Sequence, residues 1–251
     1  MRILLFKRKV IFDVKKLMEL PFFYLADLSK TAIELVLPEE TSKHIISVLR
    51  MQEGEELRVT NGRGTVVRAS IQKAHKKNCL LNIVEVLQTP DRRKPVTLAI
   101  SLLKNPGRFE WMLEKVTEIG IRSVIPLLSQ RTERQHFRAD RMKNIMVSAM
   151  LQSQQSWLTE IMEPVSFAEV IKKGDVENKY IAHCLPEQRT SLRQGSYQSA
   201  SSIILIGPEG DFSPVEISAA LEFGYKPVTL GDTRLRSETA GVVAVTLLSI
   251  H

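Results

Sequence analysis

Residues 228–250, VTLGDTRLRSETAGVVAVTLLSI, set two arginines and a glutamate between an apolar strand-like run and a small, apolar, helix-like one. Charged side chains between two buried elements are costly to desolvate unless they cap, pair or meet a ligand. Ser237 or Glu238 can cap the last helix, but a cap does not require Arg236 one residue earlier. A guanidinium there is a permanent cation, able to stabilise developing negative charge, hold a phosphate or pair with Glu238. Ala240, Gly241, Val242, Val243 and Ala244 keep the helix start small enough for another backbone or a flat ligand to lie against it. Some twenty residues upstream, LIGPEGDF (205–212) ends another apolar run. Gly207 permits a sharp exit or a close backbone approach, Pro208 fixes φ, Glu209 adds a charge, and Gly210 is permissive again. Such a loop either aims several backbone groups at one ligand or is a tight turn before an ordinary helix.

The elements that position these residues follow from pattern. After Pro95 apolar runs alternate with amphipathic ones: VTLAISLL, RFEWMLEKVTEIG, SVIPLL, ADRMKNIMVSAMLQSQ, KYIAHCL, SSIILIG, SPVEISAALEFG, PVTLG and the final helix. This reads as an α/β layer on a mostly parallel sheet. Ser213 is the expected N-cap of its helix, with Pro214 at N1, Glu216 at N3 and Gly224 as the stop; Gly120 closes an earlier helix. Ligands of open α/β sheets collect beyond the carboxyl ends of the strands, where IAHCLPE (181–187), LIGPEGDF and LGDTRLRSETAG lie. Residues 21–88 read differently. FFYLA and IELVL are strand-like, and PEETSKHIISVLRM is a short helix with Ile45, Ile46, Val48 and Leu49 along one side. EELRVTNGRGTVVRASIQ is a hairpin around Asn61–Gly64, and CLLNIVEVL is a further strand. Short strands with one helix suggest a small β-barrel. QTPDRRKP (88–95) reads as the linker.

Composition bounds the classes. The chain has 251 residues, 43% hydrophobic and 25% charged, an ordinary globular balance. No run reaches the roughly 18 apolar residues of a membrane span. Cys79 and Cys184 sit in apolar runs and read as buried free thiols of a reducing, cytoplasmic compartment. The five scattered histidines form no zinc spacing with them, so no metal is expected. Six Lys/Arg against Asp13 in residues 1–17 supply a net +5 of the total +7, leaving +2 for the rest. That leader lacks the form of a signal peptide; it reads as an upstream extension before Met18, an extra helix or a basic arm. RTERQHFRADRMK (131–143) and DRRK (91–94) are basic spots that suit either a phosphate-tracking surface or a solvated face. No G-x-G-x-x-G follows a strand, and neither G-x-x-x-x-G-K-[ST] nor G-x-S-x-G occurs, which disfavours a dinucleotide fold, a nucleoside triphosphatase and an α/β-hydrolase.

The pair LIGPEGDFSPVEI and LGDTRLRSETAG resembles the signature of SPOUT-class, trefoil-knotted RNA methyltransferases, and most specifically the RsmE type, which methylates N3 of a uridine in small-subunit (16S) ribosomal RNA. HIISVLRMQEGEELRVTNGRG (44–64) is similar to the start of that family's PUA-like RNA-binding barrel, and RFEWMLEKVTEIGI (108–121) to its first catalytic-domain helix. The likeness covers residue 18 to the end; residues 1–17, Asp211 and a loosely similar 151–160 depart from it. It implies a PUA-like barrel over 18–90, a methyltransferase domain over 95–251 with the last helix threaded through a knot, and a homodimer acting on the small ribosomal subunit. It also implies an S-adenosylmethionine site made of Leu185, Pro186, Ile206, Gly207, Gly210, Leu230, Gly231, Leu235, Glu238, Thr239 and Ala240. In that reaction the imide proton of uracil is lost and charge develops on the ring oxygens. Arg236 then becomes the stabilising cation, against the rival roles of phosphate ligand and ion pair. Glu209 either orients the base and helps accept a proton or braces its loop. Arg50, Arg63, Arg131 and Arg134 are expected RNA contacts. Two other classes stay open: an RNA-binding or ribosome-assembly protein without catalysis, and an enzyme acting on a small nucleotide-like substrate.

Overall fold

The computed structural model describes residues 19–29, 31, 33–133, 136–173, 176–185, 189–194 and 201–250. The expected extension 1–17 therefore lies outside the described residues. The chain divides into two compact units, Met1–Thr89 and Pro90–His251.

In the first unit strands β1 (Phe22–Tyr24), β2 (Glu34–Val36), β3 (Glu56–Thr60), β4 (Thr65–Lys73) and β5 (Leu80–Gln88) form one sheet in the order β1-β3-β4-β5-β2. β3 and β4 are the expected antiparallel hairpin, with Val59 opposite Val67. Gly62 (φ 68) and Gly64 (φ 80) take the left-handed turn positions. Leu57, Val59, Val67, Ala69 and Leu81 bury one sheet face against Ile45 and Phe23. Ile45 belongs to the helical segment, which is not one helix. α1 (Glu39–Lys43) passes into a π-turn at His44–Val48, where the Leu49 N–H donates to the His44 carbonyl five residues back. The wider turn rotates the apolar side, so Ile45 is buried but Val48 (66%) and Leu49 (44%) face solvent, contrary to the single stripe expected. Arg50 ends the turn at φ 57, a left-handed conformation uncommon for a side chain of its size.

The second unit is an α/β/α layer. Its strands are β6 (Lys94–Ser101), β7 (Ile121–Leu128), β8 (Glu160–Ile161), β9 (Val165–Ser166), β10 (Asn178–Ala182), β11 (Thr190–Ser191), β12 (Ser202–Ile206) and β13 (Lys226–Thr229). They pair in parallel in the order β11-β13-β10-β12-β6-β7-β8, with β9 also on β7. Helices α2 (Pro106–Ile119), α3 (Ala139–Gln152) and α6 (Ser237–Ser249) share one apolar cluster with Leu98, Ile100, Ile204 and Ile206. α4 (Phe167–Ile171) and α5 (Pro214–Glu222) share a second with Ala99, Ile203 and Leu205. Successive residues of β6 and β12 thus serve opposite faces, which is why SIILI is buried throughout. α5 has the expected capping box, Ser213 with Glu216, and Pro214 in its first turn. Gly120 closes α2 at φ 80. The last helix differs from expectation. Arg236 is its N-cap and makes no side-chain cap bond, so neither Ser237 nor Glu238 caps it. Gly241 lets α6 lie close to β6, since a Cβ there would come 3.2 Å from Ile100 Cδ1.

The basic spot at 91–94 is partly structural. The Arg93 side chain is 8% exposed and donates to Asp91, Glu160 and the Leu158 carbonyl. Cys79 is buried as expected, but Cys184 is exposed, because it stands one residue past the buried His183 on the loop leaving β10. Among the described residues no helix is long and apolar enough to cross a membrane.

Candidate functional site

Strand order reverses about the centre of the second sheet. β6 hands the chain to β7 on one side, and the later strands β12, β10 and β13 are added on the other. Beyond the carboxyl ends of β10, β12 and β13 lies a cavity of about 610 Å³. Each strand contributes its exit loop: His183 and Cys184 after β10, Gly207–Glu209 and Asp211 after β12, and Leu230–Arg236 after β13. The start of α6 and Arg108 of α2 complete the wall.

The loops after β6, β7, β10 and β12 are held in register by polar contacts that their sequences supply. Asp211, at φ 63, accepts from the Cys184 N–H (2.7 Å) and the Phe212 N–H (2.8 Å), which ties the β12 loop to the β10 loop. Asp tolerates this left-handed position better than most residues, so the departure noted at 211 has a structural reason. Glu209 Oε1 accepts from the Lys104 N–H (3.1 Å), joining the β12 loop to the loop after β6. Arg131 Nη1 donates to the Gly210 carbonyl (2.7 Å). Behind Arg131, the Ser101, Ser129 and Thr132 hydroxyls form a buried chain with links of 3.0 and 2.9 Å. Gly207 is needed for this loop itself: a Cβ would meet the Phe212 nitrogen at 3.0 Å, so the close approach expected there comes from the chain's own backbone. Gly231, at φ 154, bends the last loop beside the Thr229 hydroxyl, which donates to the Gly231 carbonyl (2.9 Å).

The charges divide into spent and unspent. Glu238, 7% exposed, is ion-paired with Arg108 at 3.7 Å rather than with Arg236. Arg236 is exposed and lines the cavity, and its side chain has no hydrogen bond or ion pair among the described residues. The ion-pair reading of Arg236 is thereby removed. Burial and the Asp211 carboxylate push the Cys184 thiol up, while the Arg234 and Arg189 guanidiniums pull it back.

Of the expected cofactor residues, Ile206, Gly207, Leu230, Gly231, Leu235 and Ala240 line the cavity, together with Glu209 and Arg236. Gly210 stands outside the wall, its carbonyl taken by Arg131. Leu185 packs against the α4–α5 cluster, and Glu238 and Thr239 lie behind the lining in the first turn of α6. Pro186 and Arg134 lie outside the described residues. Arg50 and Arg63 belong to the first unit; Arg63 Nη2 donates to the Ala26 carbonyl (2.8 Å). Sequence reasoning missed Arg108, Arg189 and Asp211 in the wall. Only Asp211 carried a signal, as an Asp directly after a tight turn.

The donor set fits S-adenosylmethionine. Ala182, Ile206, Val228, Leu230 and Leu235 offer an apolar slot, loop backbone and the Thr233 and Ser237 hydroxyls offer polar partners, and the volume lies within the range of ligand sites.

Comparison with known proteins gives the same picture. The profile of an RNA methyltransferase domain matches residues 90–249, and that of an RNA methyltransferase PUA domain matches residues 37–84. A ribosomal RNA small subunit methyltransferase E from Synechocystis sp. is 33% identical over 206 residues, covering 79% of this chain and 67% of the relative. A solved structure of a probable rRNA-methyltransferase from Porphyromonas gingivalis is 37% identical, with a TM-score of 0.85, over 92% of this chain and 99% of that one. The ribosomal RNA small subunit methyltransferase E of Neisseria gonorrhoeae, solved bound to S-adenosyl methionine, is 27% identical with a TM-score of 0.81, over 92% and 97%.

Proposed function

The chain belongs to the ribosomal RNA small subunit methyltransferase E family of RNA methyltransferases, and from that premise we propose that its cavity methylates N3 of a uridine in small-subunit (16S) rRNA, with Arg236 as the catalytic cation. S-adenosylmethionine is the cofactor, and it supplies a methyl group already activated on a sulfonium. What the chain must add is position and electrostatics. The observation that carries the reading is Arg236: a guanidinium at the wall of the cavity with no partner among the described residues, held at the N-cap of a helix that is locked against β6. As uracil gives up its imide proton, to Glu209 or to water at the cavity mouth, negative charge grows on the ring carbonyl oxygens, and a cation fixed beforehand stabilises it without reorganisation. Glu209 orients the base from the opposite loop, its own position set by the Lys104 N–H. Ile206, Gly207, Leu230, Gly231, Leu235 and Ala240 hold the adenosyl group, and Glu238 anchors Arg108 and the first turn of α6 behind them.

The first unit, with exposed Arg50 and Arg63, is the RNA-docking part of the same proposal. So is the family's trefoil knot at α6. A homodimer in the cytoplasm completes the reading; for the dimer, the support is Trp111, which α2 leaves 45% exposed beside α3. Isotope-labelled methyl transfer to undermethylated small subunits, followed by mass mapping of the modified base, tests the function. Incorporation at a uridine N3 is expected. Binding without incorporation would leave an RNA-binding protein on the same fold.

A further inference from the structure

The mouth of the cavity carries cations that neither the cofactor slot nor the role of Arg236 uses. Arg189 lines the wall, and its Nη1 donates to the His183 carbonyl (2.6 Å), which fixes the guanidinium; its other donors meet no partner among the described residues. Arg234 lines the same wall, exposed and without a hydrogen bond or ion pair among the described residues. Both act electrostatically on one point, the Cys184 thiol. Arg193 reaches the same rim: its Nη2 lies 3.6 Å from where a Cβ on Gly231 would be. It stands in the short turn Leu192–Gln194, pinned by fully buried Leu192. Two segments far apart in sequence, 189–193 and 231–234, thus bring three arginines to one edge.

Among the described residues no acid is ion-paired with any of the three. Asp211 is taken by two backbone N–H groups and Glu209 accepts from Lys104, while Asp232 is exposed on the rim with no ion pair among the described residues. Two cations of the basic segment 131–143 are, by contrast, engaged inside the unit. Arg131 holds the Gly210 carbonyl, and Arg141 is bidentate to Glu110. A zwitterionic cofactor brings a single carboxylate, whereas a nucleic-acid strand brings one anionic phosphate per nucleotide, each matching the fork of an arginine.

We propose that Arg189, Arg193 and Arg234 form a phosphate grip that holds the RNA strand flanking the nucleotide in the cavity. This rests on the RNA methyltransferase reading above and names where that enzyme takes hold of its substrate backbone. Arg193 and Arg234 are exposed, so their replacement leaves the core untouched.

The test uses the full chain and a single-stranded fragment of undermethylated small-subunit rRNA. Affinity is measured against salt for the unaltered protein, Arg193→Gln, Arg234→Gln, the double variant and the double Arg→Lys variant. Each Gln change is expected to reduce the log–log salt slope by about 0.7 and to weaken binding roughly threefold to tenfold near 0.1 M salt, and Lys is expected to restore the slope. In methyl transfer the loss appears as a higher KM for RNA, while calorimetric affinity for S-adenosylmethionine stays within about twofold. An unchanged slope in the double Gln variant overturns the proposal. So does a loss of cofactor affinity with an unchanged slope, which would assign these arginines to the cofactor's carboxylate. If the slope falls as expected while the unaltered protein transfers no methyl group, the grip stands and the catalytic reading falls.

Discussion

Arg93 and Arg236 each stand one residue before an element of the catalytic unit, and each sits in a short basic stretch. The structure uses them in opposite ways. Arg93, ahead of β6, is walled in: it donates to Asp91, Glu160 and the Leu158 carbonyl and lies over the Trp157 ring at 5.3 Å. Arg236, ahead of α6, is exposed at a cavity with no partner among the described residues. Acceptors around Arg93 offset the cost of drying it, so its charge is consumed in holding the chain. Among the described residues no acid pairs with Arg236, so its charge is left for whatever enters the cavity. Arg141, bidentate to Glu110, falls on the side of Arg93, and Arg193 and Arg234 on the side of Arg236.

The contrast breaks first, if it breaks, at Arg236. Arg236→Ala is expected to lower turnover by about 10²–10³-fold, the loss typical of one oxyanion-stabilising donor, with cofactor affinity by calorimetry largely retained. Arg236→Lys should recover part of the rate. A variant that turns over normally would make Arg236 another surface cation. Arg93→Ala should do the reverse. Its loss leaves acceptors without donors and is expected to cost about 2 kcal/mol in urea unfolding, with turnover near that of the unaltered protein well below the melting range. A kinetic defect without a stability defect would reverse the assignment.

Most of the layer order was legible because its signals are local. The capping box at Ser213, the stop at Gly120, the Asn61–Gly64 hairpin and the alternation of apolar runs each depend on a few neighbouring residues. The two-residue strands β8, β9 and β11 were not legible, since a period of two needs more than two residues to show. The π-turn at His44–Val48 was hidden for another reason. One added residue per turn rotates a face without changing composition, and Val48 and Leu49 emerged into solvent. At the site, glycine corners and Arg236 were readable because they interrupt two buried runs. Arg108 and Arg189 were not, because a cation on an amphipathic helix or a loop looks the same whether it faces bulk water or a cavity. What separates Arg93 from Arg236 is the set of acceptors brought near each in space, and Glu160 is 67 residues from Arg93.

Acid sharpens the comparison on the Arg93 side. The hydrogen bond from Arg93 holds the Asp91 carboxyl below its usual range. A carboxylate whose folded pKa is depressed contributes stability above its unfolded pKa, near 3.9, and loses it as the pH falls through the lower folded value. Stability is therefore expected to decline below about pH 4, and Arg93→Ala should flatten that decline, as chemical denaturation across pH 2–6 would show. An equally steep decline in the variant would mean that Asp91 does not feel Arg93.

The smallest effect probes the unspent cations, with Cys184 as the reporter. Cys79 is fully buried, so alkylation of the folded protein at neutral pH reads Cys184 alone among the two thiols. Burial and then the Asp211 carboxylate raise its pKa, and the Arg234 and Arg189 charges lower it. Reaction goes through the thiolate. Arg234→Gln removes a lowering charge, raises the thiol further and should slow alkylation about twofold at low salt, an effect that shrinks as the Debye length falls below roughly 8 Å. Arg93→Ala, whose charge is closed off among its acceptors, should leave the rate unchanged. If both substitutions slow the reaction equally, the charge of Arg93 is not confined by its partners, and the two arginines differ in burial alone.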